Sequence, residues 1–134
     1  QQATFSMPHV SRGFMPVNGG TQRLPRIVGQ GRALELLMTG REFDSVEALE
    51  MGLVQYVRAS DVVVEAIELA KKISSYGPVA ARYLKEAVNS GIQMSIRDGM
   101  VLEADLSVIL QSTLDRTEGI NSFLTRRNPT YMGE

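Results

Sequence analysis

Helix signals follow one another at short intervals from Thr21 almost to the end of the chain, and this succession restricts the fold to a mostly α-helical one. Within the segments, apolar residues recur three and four positions apart, which is the period of a helix with one buried face. Residues that favour helix caps and glycines that favour helix ends separate the segments. The pattern therefore predicts about six helices with short connections and no internal repeat.

The predicted helices are defined by their caps and stops. They cover 21–28, 32–39, the segment from Asp44 or Ser45 to Gly52, a long helix that Ser60 opens, 79–89 after Pro78, 95–113, and 115–127. Thr21 is predicted to cap the first helix, and Asp115 and Glu118 are predicted to form a capping box for the last. Residues 53–57 favour a short strand or extended link. In the long helix, one stripe is predicted to be buried, namely Val63, Ala66, Ile67, Ala70 and Ile73.

The first 20 residues form a different kind of segment, interrupted by Pro8, Gly13, Pro16, Gly19 and Gly20. Such punctuation predicts an irregular, loop-rich structure. Residues 1–5 could form a strand, but a lone strand ahead of helices has no partner for its backbone hydrogen bonds. We therefore expect the sequence to be part of a larger chain or assembly. Apolar helix faces left over in a chain of 134 residues also favour association between subunits.

Composition excludes several classes of function. The net charge of −1 argues against a nucleic-acid partner, because such proteins usually carry a basic excess. The absence of cysteine and the single histidine exclude disulfides, thiolate catalysis and the usual zinc sites, so no metal is expected. No apolar run approaches the roughly 20 residues that span a bilayer, so no membrane partner is expected. No signal peptide is visible, which makes the cytoplasm the expected location.

Three groups of residues could carry chemistry. His9 lies in the irregular segment, and histidine exchanges protons readily near neutral pH, although a loop histidine can also be merely exposed or hydrogen-bonded. The turn 18–21 could present backbone N–H groups to an anion, or could simply begin a helix. Phe123 with Arg126 and Arg127 could contact a nucleotide, or the cations could only complement the end of a helix. The residues themselves leave these alternatives open.

Three phrases of the sequence, spaced along residues 19–54, resemble the enoyl-CoA hydratase/isomerase (crotonase) family. Residues 19–29 match the family phrase G-G-T-Q-R-L-x-R-x-x-G, residues 33–40 match a helix that ends in T-G, and residues 48–54 match A-x-x-x-G-L-V. Residues 115–123 are similar to the family's closing phrase, D-x-x-E-G-x-x-x-F. By this resemblance, all 134 residues correspond to the C-terminal half of a crotonase chain.

The resemblance implies a fold and an assembly. Crotonases have an N-terminal α/β spiral of the ClpP/crotonase-like type and a C-terminal helical region that builds trimers, often paired as hexamers. Residues 1–20 would then be the end of the core, with a short leading strand and an active-site loop. Residues 21–134 would be the helical oligomerisation region of a homotrimer or hexamer.

The resemblance also implies chemistry on acyl-CoA, which is a substrate and requires no cofactor. Two backbone N–H groups of the family's other half stabilise an enolate oxygen. In hydratases, two glutamates place a water on the β-carbon and a proton on the α-carbon of the substrate. The second of these glutamates follows the phrase F-x-x-P. Here that phrase is 5–8, and the next residue is His9. The other half carries the first glutamate, so this chain alone is expected to be inactive.

Three further positions follow from the resemblance. Val17 replaces the glycine that usually follows the residue matched by Pro16, which would narrow the acyl pocket. Phe123 and Arg126 match an aromatic and a cation that contact the nucleotide part of CoA bound by a neighbouring subunit. The implied activity of the full-length protein is that of an enoyl-CoA hydratase-like lyase. A double-bond isomerase, an acyl-CoA hydrolase and a non-catalytic oligomerisation module are the alternatives.

Overall fold

The computed structural model describes residues 2–59 and 61–134, and the chain divides into two compact units, Gln1–Val62 and Val63–Glu134. Together the described residues form seven α-helices and one small sheet, in agreement with the predicted mostly α-helical class. The first unit contains β1 (Thr4–Phe5), a 3-10 helix (Val10–Arg12), α1 (Gly20–Val28), α2 (Gln30–Thr39), β2 (Phe43–Asp44) and α3 (Ser45–Glu50).

The leading strand has a partner, so the prediction that it lacks one was wrong. Strand β1 pairs antiparallel with β2, which places Thr4 opposite Asp44 and Phe5 opposite Phe43. The two phenylalanine rings stack with their centroids 5.4 Å apart. Each strand has only two residues, which is too short for the alternation that identifies a strand in a sequence.

One core holds the first unit together. Its buried side chains come from α1, α2, β2 and α3 and the residue after α3, and they are Leu24, Val28, Ala33, Leu36, Phe43, Ala48 and Met51. Phe5 and Met7 pack against this cluster from the irregular segment. Segments before and after residue 20 therefore share one core. The predicted division into 1–20 and 21–134 concerns the larger fold, and it stays a prediction.

Several element boundaries differ from those predicted. The N-cap of α1 is Gly19, with a φ of 81°, so the prediction that Thr21 caps this helix was wrong. Pro25 lies beyond the first turn of α1, and Gly31 lies inside α2 rather than before it. Residues 53–57 form no strand. The sheet instead uses the two residues before α3.

The N-terminus of α3 is capped as predicted by Asp44. One carboxylate oxygen of Asp44 accepts hydrogen bonds from the backbone N–H groups of Val46 and Glu47, both at 2.9 Å. Asp44→Ala is therefore expected to lower the free energy of unfolding by about 1 kcal/mol, whereas Asp44→Asn should retain most of it. Urea unfolding followed by circular dichroism measures the difference. Equal losses for both variants would contradict the capping role.

The second unit contains α4 (Val62–Ser74), α5 (Pro78–Gly91), α6 (Ile96–Gln111) and α7 (Leu114–Leu124), of which α4 begins at the border between the units. Two predicted helix starts are confirmed: Pro78 is the first residue of α5, and Ser95 caps α6 by accepting from the N–H of Asp98 at 3.2 Å. Where α5 and α6 approach each other, a Cβ on Gly99 would lie 3.6 Å from the Cα of Gly91.

The last helix begins and ends earlier than predicted. Its N-cap is Thr113, whose hydroxyl accepts from the N–H of Arg116 at 3.2 Å, and it ends at Leu124 rather than at Arg127. Asp115 is buried within the helix, where it accepts from two backbone N–H groups near the end of the chain. The predicted capping box was wrong, because the carboxylate of Asp115 binds these backbone N–H groups and Thr113 caps the helix instead.

The apolar stripe of α4 is not buried in this chain, contrary to the prediction. Ile67 and Ile73 are 47% and 51% exposed, and Val63 is 65% exposed. Among the described residues of the second unit, Leu106 is the one buried large apolar side chain. The periodicity correctly predicts the helix. Its apolar face stays exposed because no other described segment of this chain packs over it. The prediction that Ser60 opens this helix lies outside the described residues.

Candidate functional site

A loop in the first unit, which we call the histidine loop (residues 8–17), is anchored at both ends. Gly40 ends α2 with a φ of 62°, and a Cβ at this position would lie only 2.9 Å from the Cα of Pro8. At the other end, a Cβ on Gly20 would lie 2.9 Å from the Cβ of Pro16. The loop is therefore packed closely against the end of α2 and the beginning of α1.

His9 follows the first anchor and is half-buried. Its carbonyl oxygen accepts hydrogen bonds from the N–H groups of Arg12 and Phe14, both at 3.0 Å, which fixes the backbone around it. The Nδ1 atom of its ring is buried, and no residue in the described part of the chain hydrogen-bonds to it. The described residues therefore fix the backbone of His9 but give the Nδ1 atom of its ring no hydrogen-bond partner.

The other predicted residues of the loop differ in their exposure. Pro16 is buried at the second anchor, whereas Val17 is 72% exposed. Phe14 and Met15 are also exposed, and the sequence analysis did not single them out. The sequence did contain a signal for these two residues, since large apolar side chains are unusual in a segment rich in glycine and proline. With Val10, which is 49% exposed, the histidine loop thus presents four apolar side chains in the same short segment as His9.

Phe123 and Arg126 lie at the end of α7, in the second unit. The N–H of Arg126 donates to the carbonyl of Phe123 at 3.3 Å, and the N–H of Arg127 donates to that of Ser122 at 3.0 Å. This pair of bonds is a Schellman motif, in which the residue after the cap is left-handed. That residue is Arg126, with a φ of 54°. We call this turn, residues 122–127, the Arg126 turn.

The structure gives the two neighbouring arginines different environments. Arg127 forms a bidentate ion pair with Glu118, at 2.5 and 2.6 Å. Arg126 is exposed, and its side chain forms no hydrogen bond or ion pair with the described residues. Phe123 is 82% exposed. The aromatic ring of Phe123 and the unpaired guanidinium of Arg126 therefore lie in the same turn, whereas the guanidinium of Arg127 is paired with Glu118.

Arg127 and the N–H of Thr130, in that order, lower the pKa of Glu118 to about 2. A lowered carboxylate pKa means that the pair stabilises the fold above the ordinary pKa of glutamate and loses this effect as the pH falls towards 2. The pair is therefore fully formed at neutral pH. Because both partners are close to solvent, its energetic contribution is small.

The five predicted site residues fall into two groups. His9, Pro16 and Val17 lie on one loop of the first unit, and Phe123 and Arg126 lie on one turn of the second. The residues alone gave both arginines the same two possible roles, and only the family resemblance selected Arg126. The sequence analysis also placed both arginines at the end of the last helix, whereas both follow Leu124.

A third cluster of charges is structural in character. Arg41 forms ion pairs with Glu35 and Glu47, beside a cavity of about 220 Å³ that Arg32 and Glu50 also line. Hydrogen bonds from Arg41 lower the pKa values of Glu35 and Glu47. Carboxylates held in this way are poor proton acceptors. Within the described residues, no group of three or more histidine, aspartate or glutamate side chains could hold a metal ion, and no helix is long and apolar enough to cross a membrane.

Comparison with known proteins assigns the family. Residues 1–134 match the family model for enoyl-CoA hydratase/isomerase. A short-chain-enoyl-CoA hydratase from Clostridioides difficile is 43% identical over 123 residues, which are 91% of this chain and 79% of the relative. A 2,3-dehydroadipyl-CoA hydratase from Escherichia coli is 36% identical over 134 residues, or 99% of this chain and 52% of the relative.

A solved structure agrees with this assignment. The crystal structure of an enoyl-CoA hydratase from Bacillus anthracis matches 98% of this chain and 52% of its own chain, with a TM-score of 0.94 and 42% sequence identity. The chain belongs to the enoyl-CoA hydratase/isomerase family, and its helices have the crotonase fold. The predicted resemblance is thereby confirmed.

The chain spans about half the length of most of the curated relatives it matches. This coverage agrees with the expectation of a larger chain. It does not support the more specific prediction that the matched part is the C-terminal half, which stays a hypothesis based on the order of the motifs.

Proposed function

We propose that the whole protein containing this sequence acts on acyl-CoA thioesters as an enoyl-CoA hydratase-like lyase, with no cofactor. Membership of the family and the names of the relatives support an acyl-CoA substrate. The observation that carries the proposal is the position of His9. It directly follows the phrase F-x-x-P, on an anchored loop, and the buried Nδ1 of its ring has no hydrogen-bond partner among the described residues.

In this proposal His9 is the general acid or base. It stands where the resemblance expects the second glutamate of a hydratase, and an imidazole can accept a proton from water or donate one to carbon. Because an imidazole lacks the two acceptor oxygens of a carboxylate, His9 can transfer a proton but cannot hold a water molecule as a glutamate does. The enolate oxygen is stabilised by backbone N–H groups of the family's other half, as the resemblance implies.

Val17 and Pro16 shape the acyl pocket in this proposal. The buried ring of Pro16 against Gly20 fixes the end of the histidine loop. Val17 follows it, is largely exposed, and carries a branched side chain where hydratases usually have glycine. A branched side chain near the reacting carbon favours a slim acyl group over a bulky one.

The Arg126 turn binds the nucleotide part of CoA in this proposal. The exposed ring of Phe123 offers a surface on which the adenine can stack, and Arg126 offers a cation to the phosphates. The exposed apolar side chains of α4 support the proposal of a homotrimer or hexamer, in which a neighbouring subunit supplies this turn.

Arg126→Ala is expected to raise the KM for an acyl-CoA about tenfold with little change in kcat. A hydrogen bond to a charged group contributes roughly 1.5 kcal/mol, and 1.4 kcal/mol corresponds to about tenfold in affinity. Steady-state kinetics of the whole protein on crotonyl-CoA measures both constants. An unchanged KM would remove Arg126 from the binding site.

Arg126→Gly provides a control for effects on the fold. Glycine adopts the left-handed conformation without strain, so this variant should be more stable than the parent by about 1 kcal/mol. Its KM should nevertheless rise as in the alanine variant. A rise in KM with a gain in stability would separate recognition from folding.

Product analysis distinguishes the reactions open to this site. Hydration of crotonyl-CoA gives a 3-hydroxyacyl-CoA, isomerisation moves the double bond, and hydrolysis releases free CoA thiol. The replacement of glutamate by His9 favours isomerisation or hydrolysis as the second candidate, because both can use a single proton-transfer group. Binding of acyl-CoA without any product would favour the non-catalytic module instead.

A further inference from the structure

The ion pair between Glu118 and Arg127 connects two distant points of the chain, one inside α7 and one after it. The residues are nine positions apart, and both terminal nitrogens of Arg127 donate to the carboxylate. The same carboxylate accepts from the backbone N–H of Thr130 at 2.8 Å. Glu118 thus fixes the chain on the far side of the Arg126 turn.

Arg126 needs such support because its backbone is strained. Its φ of 54° lies in the left-handed region, where the Cβ of a residue with a side chain comes too close to the following carbonyl oxygen. Strain of this kind persists only where the surrounding structure holds it in place. The Schellman bonds hold one side of Arg126, and the Glu118–Arg127 pair holds the other.

We propose that Glu118 and Arg127 are positioning residues, which hold Phe123 and Arg126 in the geometry that binds the nucleotide part of CoA. This inference rests on the proposed function of the Arg126 turn. The contribution is preorganisation: a turn already fixed in its bound geometry loses less conformational freedom when the ligand binds. Glu118 and Arg127 themselves need make no contact with the ligand.

The end of the chain is fastened separately, which allows the positioning effect to be isolated. Asp115 accepts from the N–H groups of Met132 and Gly133, at 2.7 and 2.9 Å. Tyr131 lies close to Gly119, where a Cβ would be 3.3 Å from its hydroxyl oxygen. Loss of the Glu118 pair should therefore loosen the Arg126 turn while residues 131–133 stay in place.

Glu118→Gln in the whole protein is expected to raise the KM for crotonyl-CoA about three- to fivefold and to leave kcat within twofold. Crotonyl-pantetheine, which lacks the nucleotide, should show the same KM with the parent and the variant. Glu35→Gln is the matched control, since it breaks a comparable exposed ion pair in the first unit and should change neither KM.

A double-mutant cycle distinguishes positioning from general stability. Because Glu118 acts through Arg126 and Phe123, Glu118→Gln should raise the KM by a smaller factor in a protein that already carries Arg126→Ala than in the parent. Fully additive effects of the two changes, or an equal effect on crotonyl-pantetheine, would overturn the positioning role. An Arg126→Ala variant with the parent's KM would instead overturn the proposed function of the turn.

Discussion

His9→Ala in the whole protein is expected to lower kcat on crotonyl-CoA at least tenfold, which corresponds to about 1.4 kcal/mol in the activation barrier. In the proposed function the imidazole is the group that exchanges a proton with the substrate, and this variant lacks it. The backbone around His9 should be unaffected, because it is fixed through its carbonyl oxygen rather than its side chain. Rates at saturating substrate measure the effect.

Two further variants of His9 sharpen this test. His9→Gln offers hydrogen bonds but no proton exchange, so it should be as slow as alanine. His9→Glu introduces the carboxylate that the family's hydratases carry, and it should raise the fraction of hydrated product. If His9→Ala keeps the parent's turnover, His9 is an ordinary loop residue and the catalytic proposal fails.

Gly40→Ala is expected to lower the free energy of unfolding by about 2–4 kcal/mol, through left-handed strain and overpacking. The added Cβ would lie 2.9 Å from the backbone of Pro8, which has no side-chain freedom with which to yield. Because His9 follows Pro8, turnover should also fall. Denaturant unfolding and kinetics on the same samples measure the two effects.

Gly52→Ala is the matched control for this variant. Gly52 also has a positive φ, 76°, but a Cβ there would meet nothing within 4 Å. It should therefore cost only the left-handed strain, roughly 1–2 kcal/mol, with unchanged turnover. Equal losses for the two glycines would show that Pro8 is not held by close contact with the end of α2.

Helices were predictable from this sequence because their caps and stops are local. Asp44, Pro78 and Ser95 each act within a few residues of their own position, so the sequence alone locates α3, α5 and α6. The pairing of Phe5 with Phe43 was not predictable, because it joins two very short segments that are far apart in the chain. Asp115 was misassigned for a similar reason, since its partners are 17 and 18 residues away.

The candidate site was predictable where a motif marks it. His9 and Phe123 are found from the phrases beside them, without any knowledge of the fold. The resemblance selected Arg126, but the ion pair of Arg127 could not be predicted, because it depends on a left-handed turn and on Glu118 nine residues earlier. Exposure of Phe14 likewise depends on how the loop is anchored.

The left-handed backbone at Arg126 has a consequence for the natural variation of this protein. Glycine would adopt this conformation without strain, so the arginine lowers stability at a position where the proposed binding role gives its side chain a function. Homologues that have lost nucleotide recognition should therefore no longer retain the arginine at this turn. Their substitution history would show which lineages no longer bind the coenzyme.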